Sequence, residues 1–186
     1  MVGKKNVVFG FIFLMFTAGL GPLMILQYVP DADQAMADKQ KDLGRLQSLV
    51  ANDFEEDLET LSADNIAKAN TKGILALNKV INAEQPVDMI KGGPHTHGNL
   101  ESLLNIAVGI ALCFIAVSVK FKQAISWIFI VGTILHSGMM YLGIVLQWPF
   151  ALKILGTGIG PGLILLGLLL AGVAAAMGFK GELVQD

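Results

Sequence analysis

Three histidines, His95, His97 and His136, are the residues of this chain that ordinary packing explains least well. His95 and His97 stand in Gly92-Gly93-Pro94-His95-Thr96-His97-Gly98-Asn99, where one long apolar run begins, and His136 lies near the middle of the next. An imidazole at such a position can ligate a metal ion or haem iron, move a proton, or tie helices together by hydrogen bonds. Ionisable side chains at membrane depth are rare and are functional-site hypotheses by default.

The segment around His136 reads Gly132-Thr133-Ile134-Leu135-His136-Ser137-Gly138-Met139-Met140-Tyr141-Leu142-Gly143. Gly132 and Gly143 fall on nearly the same helical face and would clear space for something flat or for a close helix. On the preceding run Ser102, Asn105, Gly109 and Cys113 form a polar and small stripe at helical spacing, which should turn inward. A buried His136 against that stripe has three readings. It is hydrogen-bonded to Asn105, Ser102 or a carbonyl, it is an axial ligand to haem b, or it ligates Cu(I) with Met140 and Cys113. His95, His97 and Glu101 could form a separate outer copper or zinc site, with Met139, Met140 and Cys113 further in.

Helix geometry limits the pairings. Residues two apart face different directions, so His95 and His97 grip one ion only if the segment is extended. If the helix starts earlier, only one of them faces inward. Counted at 1.5 Å per residue from the inner ends of their spans, His97 falls roughly 13 Å further out than His136, which opposes a shared haem.

His95-Thr96-His97-Gly98 resembles the start of the second helix in the catalytic subunit of haem-copper oxidases and nitric oxide reductases. The likeness covers about ten residues. It implies an axial ligand to a b-type haem, supplied by His95 or His97. Further histidines for a haem-copper centre are missing, so the resemblance implies at most a small single-haem protein.

Four elements must position these groups. The apolar stretches Val7 to Val29, Leu100 to Val119, Ala124 to Leu146 and Phe150 to Phe179 each supply the roughly 20 residues that cross a bilayer. The expected fold is an all-α integral membrane protein with four transmembrane helices. Residues 1–29 form the first span, 30–99 an extracytoplasmic helical insertion, and 100–186 a three-helix unit. Lys4 and Lys5, Lys120 and Lys122, and Lys180 all fall on one face of that topology, which the positive-inside rule makes cytoplasmic. Both termini are then cytoplasmic in a bacterial inner membrane, with 30–99 periplasmic. Trp127 and Trp148 mark the ends of the third span as an aromatic belt would. The first run is longer than a signal-peptide core and no small-x-small site follows it, so it reads as an uncleaved anchor.

Gly19-Leu20-Gly21-Pro22 predicts a kink in the first span. In the insertion, Asp31 with Gln34 has capping-box spacing, and Leu43, Leu46, Val50, Phe54, Leu58 and Leu61 make an amphipathic stripe over one helix or two. The cluster Asp53 to Asp57 reads as a solvated acidic face. Ser62 should cap a further helix with apolar positions Ile66, Ile74, Leu77 and Ile81. In the fourth span, Gly156 with Gly160 and Gly158 with Gly162 read as helix-packing pairs, with Pro161 breaking the helix. They do not read as a nucleotide loop, because no strand precedes them.

The chain is 54% hydrophobic and carries a net charge of -2, so it offers no basic face for nucleic acid. One cysteine excludes a disulfide framework. No carboxylate pair or nucleophile with a neighbouring base appears at one depth, so an enzyme acting alone has little support. The expectation is a small membrane protein binding haem b or a metal and linked to electron transfer, with a quinone or larger oxidoreductase as redox partner. Two alternatives stand beside it: an accessory subunit of a membrane complex or homo-oligomer, and a copper- or zinc-handling protein.

Overall fold

The computed structural model describes residues 1–56 and 59–184, and nearly all of them are helical. Two compact units are present: Met1–Gly21 with Met89–Asp186, and Pro22–Asp88. Among the described residues, four helical runs are long and apolar enough to cross a membrane: Lys4–Gln27, Ala63–Phe114, Val119–Val145 and Ile159–Gly178.

The first unit holds the histidines. Helix α1 (Lys4–Ala18) is followed by α2 (Leu20–Gln27), and between them Gly19, in the expected Gly-Leu-Gly-Pro run, keeps helical dihedrals at φ -60° and ψ -18°. After α3 (Val29–Ala51), in the second unit, comes α4 (Ala63–Ile90). It continues through a π-turn at Lys91–His95 into α5 (Thr96–Ala111), closed by a 3₁₀ turn at Leu112–Phe114. At Gly92-Gly93-Pro94 two helices meet across a kink: Pro94 lacks an N–H, and Gly93, at φ -102° and ψ -107°, leaves the helical region and takes up the change of direction.

Helix α6 (Val119–Thr133) starts from a Ser118 cap, whose hydroxyl accepts from the Phe121 N–H at 3.3 Å. It runs on through two π-turns, Ile134–Gly138 and Tyr141–Val145. The expected fourth span is two helices, α7 (Pro149–Leu155) and α8 (Ile159–Gly178). The break falls at Gly158, whose φ of +70° suits a residue without Cβ. Pro161 sits in the first turn of α8, where a missing N–H disrupts nothing.

Small residues set the helix contacts. Gly3, Gly10 and Thr17 recur every seven residues along α1 and meet Gly109, Ser102 and Gly98 of the antiparallel α5. A methyl group on Gly10 would stand 2.6 Å from the Ile106 side chain and 2.7 Å from the Ser102 carbonyl. This is the close approach that small residues permit between apolar helices. Between α6 and α8 the same part is taken by Gly132 against Ile164, Gly160 against the Leu135–His136 backbone, and Gly167 against Phe129. Val108, Leu112, Ile115, Ile125, Phe129, Ile164 and Ala174 fill the apolar core of these helices.

Among the described residues, therefore, neither expected pair of the fourth span packs as a pair, and one of its four glycines is used. Gly160 packs, whereas Gly158 and Gly162 have open space beside them, and Gly156 meets only carbonyls of its own helix.

In the second unit α3 begins at Tyr28 with no side-chain cap, so the Asp31 capping box does not form; Gln34 instead donates to Asp38 at 3.0 Å. The helix does not restart at Asp53. Asp53 and Phe54 both adopt left-handed φ, and a two-residue hairpin follows, β1 (Glu55–Glu56) with β2 (Glu59–Thr60). Ser62 does cap α4, accepting from the Asn65 N–H at 3.3 Å. Leu46 packs on Gly73 and Leu49 is buried, while Leu43 and Val50 are exposed. Leu58 of the stripe and Asp57 of the acidic cluster lie outside the described residues. The buried face of α4 is Ala69, Ala76 and Val80; Ile74, Leu77 and Ile81 point outward, against the expectation.

Candidate metal centre

His97 and Glu101 are four residues apart on α5 and so share a face. His136 comes from the π-turn that extends α6. One donor atom from each of the three lies within 4.8 Å of the others. The rings of His97 and His136 meet edge to face with centroids 5.0 Å apart. His136 Nδ1 stands 2.5 Å from Glu101 Oε1, and the Ser137 hydroxyl donates to Glu101 Oε2 at 2.7 Å. Glu101 is 4% exposed, and His136 and His97 are partly buried.

The depth difference expected from the sequence vanishes for a local reason. The run containing α5 ends at Phe114, not Val119, and α6 begins at Val119, not Ala124. His97 is therefore 17 residues from Phe114, and His136 is 17 residues from Val119. Ile115 is extended and bridges to Phe179, which shortens the one helix and frees the residues that start the next.

Below the three donors lies a buried hydrogen-bonded layer. Asn105 Nδ2 donates to the Glu101 carbonyl at 3.0 Å and to Thr133 Oγ1 at 2.9 Å, and Asn105 Oδ1 accepts from Asn6 Nδ2 at 3.0 Å. Asn6 also donates to the Ser126 carbonyl and accepts from the Ser126 hydroxyl. Asn6, Ser102, Asn105, Ser126, Thr133 and Ser137 are all fully buried. Among the described residues no buried side-chain nitrogen or oxygen lacks a partner, as a polar layer in an apolar bundle requires. The inward stripe of Ser102, Asn105 and Gly109 is thus as expected. Asn105 holds helices, however, while the partner of His136 is Glu101.

The other expected donors go elsewhere. Because the helix starts early, His95 and His97 diverge and only His97 joins Glu101 and His136. His95 Nδ1 is 2.9 Å from the Thr17 carbonyl, near the C-terminal end of α1. A carbonyl only accepts, so Nδ1 carries the proton there. Cys113 donates to the Gly109 carbonyl at 3.4 Å. Twelve residues of helix past Glu101 put it about 18 Å away along the axis, so it is not part of this centre. Met140 packs its sulfur at the Gly93 bend. Gly132 and Gly143 leave no flat slot, since Ile164 and Leu152 fill the space beside them.

Reasoning from sequence did not single out Ser137, Asn6 or Thr133. Glu101 was expected beside His95 and His97 in an outer site, whereas it stands with His97 and His136. The usable signal was periodicity: His97, Glu101, Asn105 and Gly109 recur every four residues, facing Thr133, His136 and Ser137 at intervals of three and one.

Two imidazoles and one carboxylate suit a divalent first-row ion. Donors about 2.1 Å from a tetrahedral ion lie roughly 3.4 Å apart, so small side-chain rotations would bring these three to bonding distance. No known protein family, curated protein or solved structure matches the chain.

Proposed function

We propose that this chain is a membrane-integral protein that binds one divalent transition-metal ion through His97, Glu101 and His136. The observation that carries the reading is the convergence of these donors from two separate helices, with the carboxylate buried. A buried carboxylate must be paired; Ser137 holds one oxygen of Glu101, and a cation shared with His97 and His136 would pair the other. π-turns also recur at functional sites, and His136 sits in one.

The donor set favours zinc or ferrous iron over Cu(I), which prefers thiolate and thioether ligands. It also favours a bare ion over haem. Axial imidazoles must face each other across a macrocycle, and rings in edge contact at 5.0 Å leave that macrocycle no room. Electron transfer, in this reading, belongs to a redox-active ion such as iron in the site.

In this reading the apolar stretches 7–29, 100–119, 124–146 and 150–179 cross the bacterial inner membrane, with both termini on the cytoplasmic side marked by Lys4, Lys5, Lys120 and Lys180 and with residues 30–99 periplasmic. Reporter fusions at the two termini and within 30–88 test that orientation. A docking role in a larger complex or homo-oligomer is a second reading, favoured by Ile74, Leu77 and Ile81, which lie exposed along α4. Metal analysis of the protein purified without chelators tests the principal reading, with His97→Ala and Glu101→Gln as comparisons.

A further inference from the structure

Resting on that metal assignment, we infer that the bound ion keeps one coordination position open to an exogenous small ligand, water or a small anion, and that Ser137 holds it open. The argument begins with the donors. Structural zinc sites are closed by four protein ligands, whereas catalytic sites use three and leave the fourth position to water or substrate. Among the described residues, the group of His, Cys, Asp and Glu able to hold a metal here has three members. His95 is turned to the Thr17 carbonyl and Cys113 to the Gly109 carbonyl.

The remaining way to fill a fourth position from within would be Glu101 binding through both oxygens. Ser137 opposes that. Its fully buried hydroxyl donates to Oε2 at 2.7 Å, leaving Oε1 as the oxygen turned toward His136. A hydrogen bond to the outer oxygen of a ligating carboxylate fixes its orientation in the way other outer partners fix metal ligands. The donors are not sealed within the protein, since the His136 side chain is 12% exposed and His97 is partly buried. Ser137 is thus a positioning residue, acting on the ion through Glu101.

The test uses the full chain in detergent, loaded with Co²⁺ as a spectroscopic substitute, and azide as the probe. The wild type is expected to show Co²⁺ ligand-field bands that shift saturably on azide addition. Ser137→Ala should keep the Co²⁺ bands but bind azide about tenfold more weakly, an effect on the scale of outer-partner mutations. Ser137→Thr, which retains the hydroxyl, should restore azide binding. Wild-type bands that azide leaves unchanged would overturn the open position, and they do so even if Ser137→Ala fails to fold. Equal azide affinity in wild type and Ser137→Ala would overturn the role of Ser137. Failure to take up Co²⁺ at all would instead remove the metal assignment beneath both.

Discussion

Gly160 lies directly beneath His136: a methyl group built on it would stand 2.6 Å from the His136 backbone nitrogen. The π-turn that aims His136 at Glu101 is therefore seated on a glycine of α8. Gly160→Ala must push two backbones apart, at a cost of about 1–3 kcal/mol for overpacking. It should also weaken metal binding, because His136 moves with its turn. Gly162→Ala, with open space beside it, should change neither. Thermal unfolding and metal affinity measured on both variants check this; equal behaviour would contradict the packing described.

The buried layer predicts a different response. Asn105→Ala removes one of the two acceptors of the Asn6 amide, takes the Asn105 donor away from the Thr133 hydroxyl and removes a tie to the Glu101 carbonyl. Leaving buried polar groups unpaired costs roughly 1–3 kcal/mol, at the upper end of interhelical hydrogen bonds in membranes. Unfolding in mixed micelles should show the loss. Asn6→Ala should give a similar decrease, and the double variant less than the sum, since the two residues share one bond.

What the sequence made legible, and what it did not, follows from how far each feature depends on distant residues. Four helical runs long and apolar enough to cross a membrane were legible because hydrophobic length is a local property. The Ser62 cap was legible because Ser acts through the backbone beside it. The shared depth of His97 and His136 was not, since it depends on Ile115 leaving the helix to bridge Phe179. Glu101 was legible as a donor, but its grouping with His136 was not, because that grouping depends on how α5 packs against the π-turn that follows α6. The outward turn of Ile74, Leu77 and Ile81 was hidden too, because Leu46 packs on Gly73 and so selects the alanine face of α4.

The second unit carries a pH prediction. Lys79 and then Gln34 hydrogen-bond Asp38 and hold its carboxyl below the ordinary aspartate value. A depressed value in the folded state means the pair stabilises the fold above the ordinary aspartate range. That contribution fades as pH falls through the depressed value. The pair is solvent-exposed, so its effect on stability is small. Carboxyl NMR of Asp38 should show its titration moving upward in Lys79→Ala; an unchanged titration would refute the link between α3 and α4 through this pair.

Haem offers a further discriminating observation. With Ile164 and Leu152 filling the glycine faces and the two imidazoles in contact, the protein purified from haem-replete cells should give no reduced-minus-oxidised b-type bands. Stoichiometric haem bands that disappear in His136→Ala would contradict the arrangement.

Equilibrium binding of Zn²⁺ to the purified full-length protein tests the central claim most directly, read by calorimetry alongside elemental analysis. The account predicts one tight ion per chain in the wild type, and loss of that ion in both His97→Ala and Glu101→Gln while helical content is retained. A wild type that binds no ion, or variants that bind it as tightly as the wild type, would contradict it.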